Sequence, residues 1–224
     1  MDLSDALGST RVLVTAGPTF EPIDPVRFIG NRSSGKMGYA IAEEARERGA
    51  SVVLIAGPTA LPDPTGMEVV RIETTAELRA AVLSRVGGMD VVVMAAAVAD
   101  FHPASYAETK LKRRGAVTLE LVPNPDIAVE VSAAAPSVVH VGFALETESL
   151  LDAARSKLRR KGQHLVVANQ LSSGHNPFGA ETNRVAFVWE DRVVELAEMS
   201  KRDVARHLWD EVAYLLRMRS PREE

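Results

Sequence analysis

The chain has 224 residues, 46% hydrophobic and 25% charged, with a formal net charge of −4 and no cysteine. That length carries one α/β domain with a sizeable core. The acidic balance argues against a nucleic-acid partner, and the missing cysteines exclude disulfides, thiolate metal sites and a cysteine nucleophile.

Strand and helix patterns alternate along the chain. Val12 to Thr15 reads as a buried strand, and Met37, Ala40, Ile41 and Ala45 fall at helical spacing up to Gly49. Val52 to Ala56 and Val69 to Ile72 are the next strands, followed by Thr74-Thr75-Ala76-Glu77, a capping box for a helix carrying Leu78, Ala81 and Val82. Asp90 to Ala97, Val138 to Phe143 and Leu165 to Ala168 are further buried strands, with an amphipathic helix from Ser149 to Lys161 between the last two. Arg184 to Leu196 reads as a hairpin turning at Glu190-Asp191, and Val204, Leu208, Val212 and Leu215 mark a final helix. The expected fold is therefore α/β: a Rossmann-like, mostly parallel sheet with helices on both faces, plus a small antiparallel hairpin. No internal linker appears, so residues 1–224 are read as a single domain. No apolar run reaches membrane-spanning length, and the start MDLSDALGSTR has no signal-peptide pattern, so a cytoplasmic protein with no membrane partner is expected.

Gly17 to Gly38, GPTFEPIDPVRFIGNRSSGKMG, is the most informative stretch. A loop this long between a first strand and a first helix is uncommon unless it is functional. Ser33, Ser34 and Gly35 put hydroxyls and backbone N–H groups at a helix N-terminus, where an anion is stabilised, although plain helix capping accounts for the same residues. Gly30-Asn-Arg-Ser-Ser-Gly35-Lys36 nearly spells a P-loop, but Met37 replaces the magnesium-binding hydroxyl and no strand pattern directly precedes Gly30. The dinucleotide fingerprint is also absent: no GxGxxG opens the first helix, and no acid ends the second strand. Tyr106 and Lys110 match the YxxxK spacing of short-chain dehydrogenases, yet they sit in an irregular, Pro-flanked segment.

Four more segments could carry chemistry. Small residues at the strand exit, Ala95 to Ala99, let a ligand approach backbone, with Asp100 placed to bind a hydroxyl, an amine or a metal-bound phosphate, or merely to cap a turn. Lys110-Leu-Lys112-Arg113-Arg114-Gly115 reads as a mobile basic loop able to fold over phosphate, or as a solvated turn. Two prolines stiffen Pro123-Asn124-Pro125-Asp126, where Asp126 can cap the next helix. Phe143 stacks on a base or fills core. Arg outnumbers Lys 20 to 6, yet four lysines fall in two clusters, Lys110 with Lys112 and Lys157 with Lys161. Lys157 and Lys161 share a helix face, where they complement the helix dipole or point into a site; a lysine is a compact, rotatable charge suited to phosphate.

Taken together, GPTFEPIDPVRFIGNRSSGKMG, AAAVADFHP, KLKRR, NPDI, GFALET and KLRRKG resemble phosphopantothenoylcysteine synthetase in order and separation, over roughly Arg11 to Leu216. Phe20 stands where that family commonly has Arg, and Arg113 where it often has Lys. The resemblance implies a ligase joining 4′-phosphopantothenate to L-cysteine in coenzyme A biosynthesis, through an acyl-cytidylate formed from CTP with Mg²⁺ held by the nucleotide phosphates. It implies Asn31 and Lys110 as catalytic residues, Asn31 as oxyanion donor and Lys110 on a flexible flap. It assigns the nucleotide to Ala95, Ala96, Asp100, Lys110, Pro125, Asp126, Ile127, Ala128, Phe143, Lys157 and Lys161. It assigns phosphopantothenate to Asn31, Ser33, Ser34 and Gly35, with Arg27 supplied by the neighbouring subunit of a homodimer. It further implies a flavin-dependent decarboxylase as a fused or separate partner, with no flavin in this domain. The rival readings are a non-catalytic nucleotide sensor and a short-chain-dehydrogenase-like NAD(P) oxidoreductase.

Overall fold

The computed structural model describes residues 7–113, 115–146, 150–170 and 179–219. The N-terminal hexapeptide, Arg114, Thr147, Ser149 and the tail after Arg219 lie outside these described residues.

Fourteen strands and five α-helices follow in the order β1 (Arg11–Ala16), β2 (Phe20–Asp24), β3 (Arg27–Gly30), α1 (Lys36–Glu47), β4 (Ser51–Ala56), β5 (Glu68–Arg71), α2 (Thr75–Leu83), β6 (Val91–Met94), β7 (Phe101–Pro103), β8 (Leu121–Pro123), α3 (Ile127–Ala134), β9 (Val139–Glu146), α4 (Leu150–Arg160), β10 (Leu165–Gln170), β11 (Thr182–Asn183), β12 (Val185–Val188), β13 (Val193–Glu195), β14 (Met199–Ser200) and α5 (Lys201–Arg219) among the described residues. The main sheet runs β13-β12-β10-β9-β6-β1-β4-β5. Its six strands from β10 to β5 pair in parallel, and β12 and β13 add an antiparallel edge.

Burial on both faces explains the near-continuous apolar strands. Val12 and Val14 point into the layer under α1 and α5, while Leu13 points into the layer under α2 and α3. Trp209 of α5 is fully buried and donates its indole N–H to the Ile41 carbonyl at 2.9 Å, which fixes α5 across α1. The Thr74–Glu77 capping box forms as the sequence indicates: the Thr74 hydroxyl accepts from Glu77 N at 3.2 Å, and the Glu77 carboxylate accepts from Thr74 N at 3.3 Å.

Two corrections bear on the site. The long segment after β1 is not one loop, because Phe20–Asp24 and Arg27–Gly30 pair as an antiparallel hairpin with Phe20 and Phe28 stacked. Pro22 and Pro25 hide that hairpin from a pattern search, yet a strand outside a larger sheet tolerates proline. It follows that a strand does lead into Gly30, although it belongs to this hairpin and not to the central sheet. The sheet strand expected over Asp90 to Ala97 ends at Met94, and Ala95 to Asp100 continue as irregular backbone.

Candidate active site

Strand order reverses between β1 and β6, since β4 and β5 extend one side and β6 opens the other. In open α/β sheets such a crevice, at the carboxyl ends of the strands, takes the ligand. A cavity of about 520 Å³ lies there, a size suited to a small molecule. One wall is the start of α1. Gly35 precedes it at φ 77°, in the left-handed region that favours glycine, and the Ser33 hydroxyl accepts from Gly35 N at 3.3 Å. No side chain caps α1 and no acid sits in its first turn, so its leading N–H groups suit an anion. Gly38 lets the helix lie on β1: a Cβ there would stand 2.5 Å from the Ala16 Cβ.

The floor is the strand exit after β6, tied down nearly residue by residue. Ala97 N donates to the Gly17 carbonyl at 2.9 Å, and Ala99 N to the Thr19 hydroxyl at 2.9 Å. The Asn124 amide donates to the Ala99 carbonyl at 2.9 Å, and Asn31 Nδ2 donates to the carbonyls of Val98 at 2.8 Å and Ala97 at 3.3 Å. An Asn31 amide so engaged must leave these carbonyls before it can serve an oxyanion.

Lys161 forms the third wall. Its ammonium pairs with Asp126 at 3.0 Å and is largely buried. Asp126 does occupy the N-cap position of α3, but its side chain makes no capping bond; its carboxylate orients Lys161 instead. Behind Lys161 a buried relay holds the backbone. The Ser132 hydroxyl donates to the Lys161 carbonyl at 2.6 Å and has one proton only, so toward His140 Nδ1, at 2.8 Å, it must accept. His140 therefore carries its proton on Nδ1. Burial, with the nearby His164 and Lys161 charges, pushes its pKa down to about 4, so the ring is neutral.

Lys36, Lys201, Asn169 and Asn183 close the far end and went unrecognised in the sequence. Asn183 Nδ2 donates to Asn169 Oδ1 at 2.7 Å, joining the ends of β10 and β11. Lys36 donates to the Gly179 carbonyl at 2.9 Å and pairs with Glu181. Lys201, only 6% exposed, donates to the Ala180 carbonyl at 2.5 Å; burial and the neighbouring Lys36 lower its pKa. The nearest available signals were the Gly35-Lys36 pair and the lone Asn closing the buried run Val166-Val167-Ala168.

The structure brings together Asn31, Ser33, Ser34, Gly35, Ala95, Ala96, Asp100, Pro125, Asp126, Ile127, Ala128, Phe143, Lys157 and Lys161 around this one cavity. Phe143 lines the cavity and also packs against the core under α1 and α5, so its core reading holds. Arg27 and Lys110 are not among the lining residues. Arg27 instead meets the backbone of Leu111, next in the chain to Lys110, at the tip of the β2–β3 hairpin. Asp24 Oδ1 accepts from Val26 N at 2.9 Å and Arg27 N at 3.0 Å; its Oδ2 accepts from Arg27 Nε at 3.0 Å and Leu111 N at 3.1 Å. The Arg27 guanidinium beside it holds the Asp24 carboxyl well below the usual range. Arg27 also donates to the Leu111 carbonyl at 2.9 Å, so the Lys110 segment is anchored beside its lysine.

Residues 7–216 match the family described as the DNA/pantothenate metabolism flavoprotein C-terminal domain. The chain belongs to that family. The coenzyme A biosynthesis bifunctional protein CoaBC of Bacillus subtilis is 43% identical over 217 residues, covering 96% of this chain and 53% of that protein. Its Mycobacterium tuberculosis counterpart is 51% identical over 181 residues, covering 75% of this chain and 43% of the relative. The chain thus spans about half the length of the curated relatives it matches. A solved C-terminal domain of CoaBC superposes with TM-score 0.83 at 37% identity, covering 96% of this chain and 99% of that one. The phosphopantothenate-cysteine complex of a Cab2 H337A mutant, at 20% identity, shares the fold with TM-score 0.75.

Proposed function

We propose that this domain is a CTP-dependent phosphopantothenate–cysteine ligase of coenzyme A biosynthesis. The observation that carries the reading is charge. Arg32, Lys36, Lys157, Lys161 and Lys201 line the cavity against two carboxylates, Asp100 and Asp126. A pocket so weighted suits a polyanion, and the first step joins two: the carboxylate of 4′-phosphopantothenate attacks the α-phosphorus of CTP and pyrophosphate leaves. Cation pairs that neutralise charge in that transition state account for catalysis here. The cysteine amine then attacks the acyl carbon of the acyl-cytidylate, CMP departs, and the amine proton passes to solvent.

Lys157 and Lys161 hold the triphosphate, with Asp126 fixing the Lys161 ammonium. Ala95, Ala96, Pro125 to Ala128 and Phe143 enclose the nucleoside, and Ser33, Ser34 and Gly35 with the start of α1 take phosphopantothenate. Asn31 is the neutral donor for the oxyanion of the second step, and Lys110 is the cation that favours pyrophosphate departure. No cluster of three His, Cys, Asp or Glu suited to a metal occurs among the described residues. A magnesium ion fits as a companion of the triphosphate, with Asp100 the one cavity carboxylate not paired to Lys161, since Mg²⁺ commonly takes one or two carboxylates plus substrate phosphates. Held there, it would supply positive charge beside the triphosphate.

The hairpins support a homodimer. Val26, Phe28, Phe101, Tyr106, Val117 and Leu121 are all exposed on β2–β3, β7–β8 and the connection between β7 and β8. A patch of this kind marks an interaction surface, and Arg27, tethered on it outside its own cavity, is placed to serve a second copy. The relatives' bifunctional names, with the flavoprotein of the family's description, support a flavin-dependent decarboxylase as the further partner, and a cytoplasmic location belongs to the same reading.

Pyrophosphate release measured with CTP or ATP, with and without phosphopantothenate, tests the reading. Release that needs the acid and prefers CTP is expected. Nucleotide binding with no release under any condition would identify a sensor and refute a ligase.

A further inference from the structure

α4 ends on a glycine, and the residue after it is polar where an apolar one is common. Gly162 stands at φ 59°, its N–H donating to the Arg159 carbonyl at 3.3 Å, and Gln163 N donates to the Leu158 carbonyl at 2.9 Å. In this helix ending the outer residue frequently packs an apolar side chain back on the helix. Gln163 instead buries a carboxamide, only 6% of the residue being exposed, and it lines the cavity. The carboxamide lies across Gly142 of β9 and fills the space of the missing side chain; a Cβ at residue 142 would collide with its nitrogen, oxygen and carbon. Gly142 pairs with Met94 of β6, and Phe143 and Ala144 follow it in the chain; these three also line the cavity. The carboxamide therefore borders an uncharged, apolar part of the wall.

The relay behind Lys161 fixes its orientation. The Ser132 hydroxyl gives its one proton to the Lys161 carbonyl, so His140 holds its own proton on Nδ1. The ring is neutral, which leaves Nε2 as an acceptor. Gln163 Nε2 lies 3.4 Å from it and donates; the flipped carboxamide would set two acceptors against each other. Gln163 Oε1 is thus the remaining arm, buried and with no hydrogen-bond partner among the described residues. A buried acceptor left in this state is costly, and in a cavity wall it points to a donor on the ligand. We propose that Gln163 Oε1 accepts from the exocyclic amine of the nucleotide base, so that the site takes a 4-aminopyrimidine and rejects its 4-oxo counterpart. The inference rests on the ligase reading and deepens it: the cavity's cations account for the phosphates, and Gln163 for the base. A triphosphate and a carboxylate bring only acceptors, so neither satisfies Oε1. A base amine brings N–H groups on a flat ring that the apolar wall suits; the other donors on a nucleotide are the ribose hydroxyls. Uracil would set its O4 against Oε1 and leave both unpaired.

The test is kcat/KM for acid-dependent pyrophosphate release with CTP, UTP, 2′-deoxy-CTP and the triphosphate of 2-pyrimidinone riboside, which bears only hydrogen at C4. Gln163→Met, close in size, and the smaller Gln163→Ala both remove the acceptor, and thermal unfolding shows which of them folds as the wild type does. In the wild type UTP should fall about 100-fold below CTP and the pyrimidinone about 10-fold, with 2′-deoxy-CTP close to CTP. In a folded variant CTP should lose that advantage, the CTP-to-UTP ratio dropping to within about threefold. A Gln163 with a packing role alone would lower every nucleotide alike, so a wild-type ratio retained in a folded variant would overturn the proposal and leave the ligase intact. A wild type that treats CTP, UTP and the pyrimidinone alike would overturn it as well. That series needs no variant and decides alone if neither substitution folds, a pyrimidinone penalty then supporting the proposal. A penalty on 2′-deoxy-CTP beside an unpenalised pyrimidinone would give Oε1 to the ribose and also overturn it. Absence of acid-dependent release with all four nucleotides would sink the ligase reading itself.

Discussion

Replacing His140 by Gln removes one titration from the relay behind Lys161 while keeping a polar, hydrogen-bonding side chain there. His140 is 2% exposed and packed among Ser132, Gln163 and His164, and its pKa falls from the usual 6.5 to about 4. The unfolded chain therefore takes up this proton first as pH falls, so the folded state loses stability from about pH 6.5 down to about pH 4. His140 costs nothing above that window. The full loss is about 3 kcal/mol, and about 2 kcal/mol of it is gone by pH 5. His164 is shifted in the same direction by burial and Arg219, so the wild type loses somewhat more in total. Urea unfolding of wild type and His140→Gln at about pH 7.5 and about pH 5 isolates the His140 part. The wild type should lose about 2 kcal/mol more than the variant over that interval. Equal losses in the two proteins would refute the lowered pKa and with it the neutral His140 ring.

Gly38→Ala places a methyl 2.5 Å from the Ala16 Cβ and 3.1 Å from the Thr15 carbonyl oxygen, so α1 must lift from β1; thermal unfolding should show a loss of about 1–3 kcal/mol. The Lys110→Ala variant should form little acyl-cytidylate, a loss of about 10²–10³ in rate for one missing charge partner. Asn31→Ala should spare activation more and slow cysteine attack, so quenched mass spectrometry should find acyl-cytidylate accumulating; intermediate trapped by Lys110→Ala and not by Asn31→Ala would reverse the two roles. CTP should turn over well above ATP, because the strand exit at Ala95 to Ala99 offers backbone and few side-chain donors to the base; equal rates would contradict that.

The central sheet was legible because its strands are buried on both faces and its helices carry ordinary signals. Val12 to Thr15, the Thr74–Glu77 box and the Val204 to Leu215 spacing each announce themselves locally. The two outer hairpins were not. β2 and β3 are short and interrupted by Pro22 and Pro25, and β7 and β8 are three residues each. Their pairing depends on partners far along the chain, such as Phe101 opposite Pro123. Most of the cavity was found through the family resemblance, and the structure gathers those residues in one place. What the sequence could not provide was distance. Lys201 and Asn183 come to Lys36 and Asn169 only through the tertiary packing of α5 and the separate β11–β14 pair, and Lys110 looks like any basic loop until Leu111 is seen bonded to Asp24. Asp126 read as a cap for the same reason, because Lys161 lies on another helix's end.

The ligase reading stands or falls on incubating the purified domain with 4′-phosphopantothenate, L-cysteine, CTP and Mg²⁺ and weighing the products by mass spectrometry. Phosphopantothenoylcysteine is expected with CMP and pyrophosphate in equal amounts, none of them formed when phosphopantothenate is left out. CTP consumed to CDP and phosphate, or no amide product while the nucleotide remains bound, would contradict it.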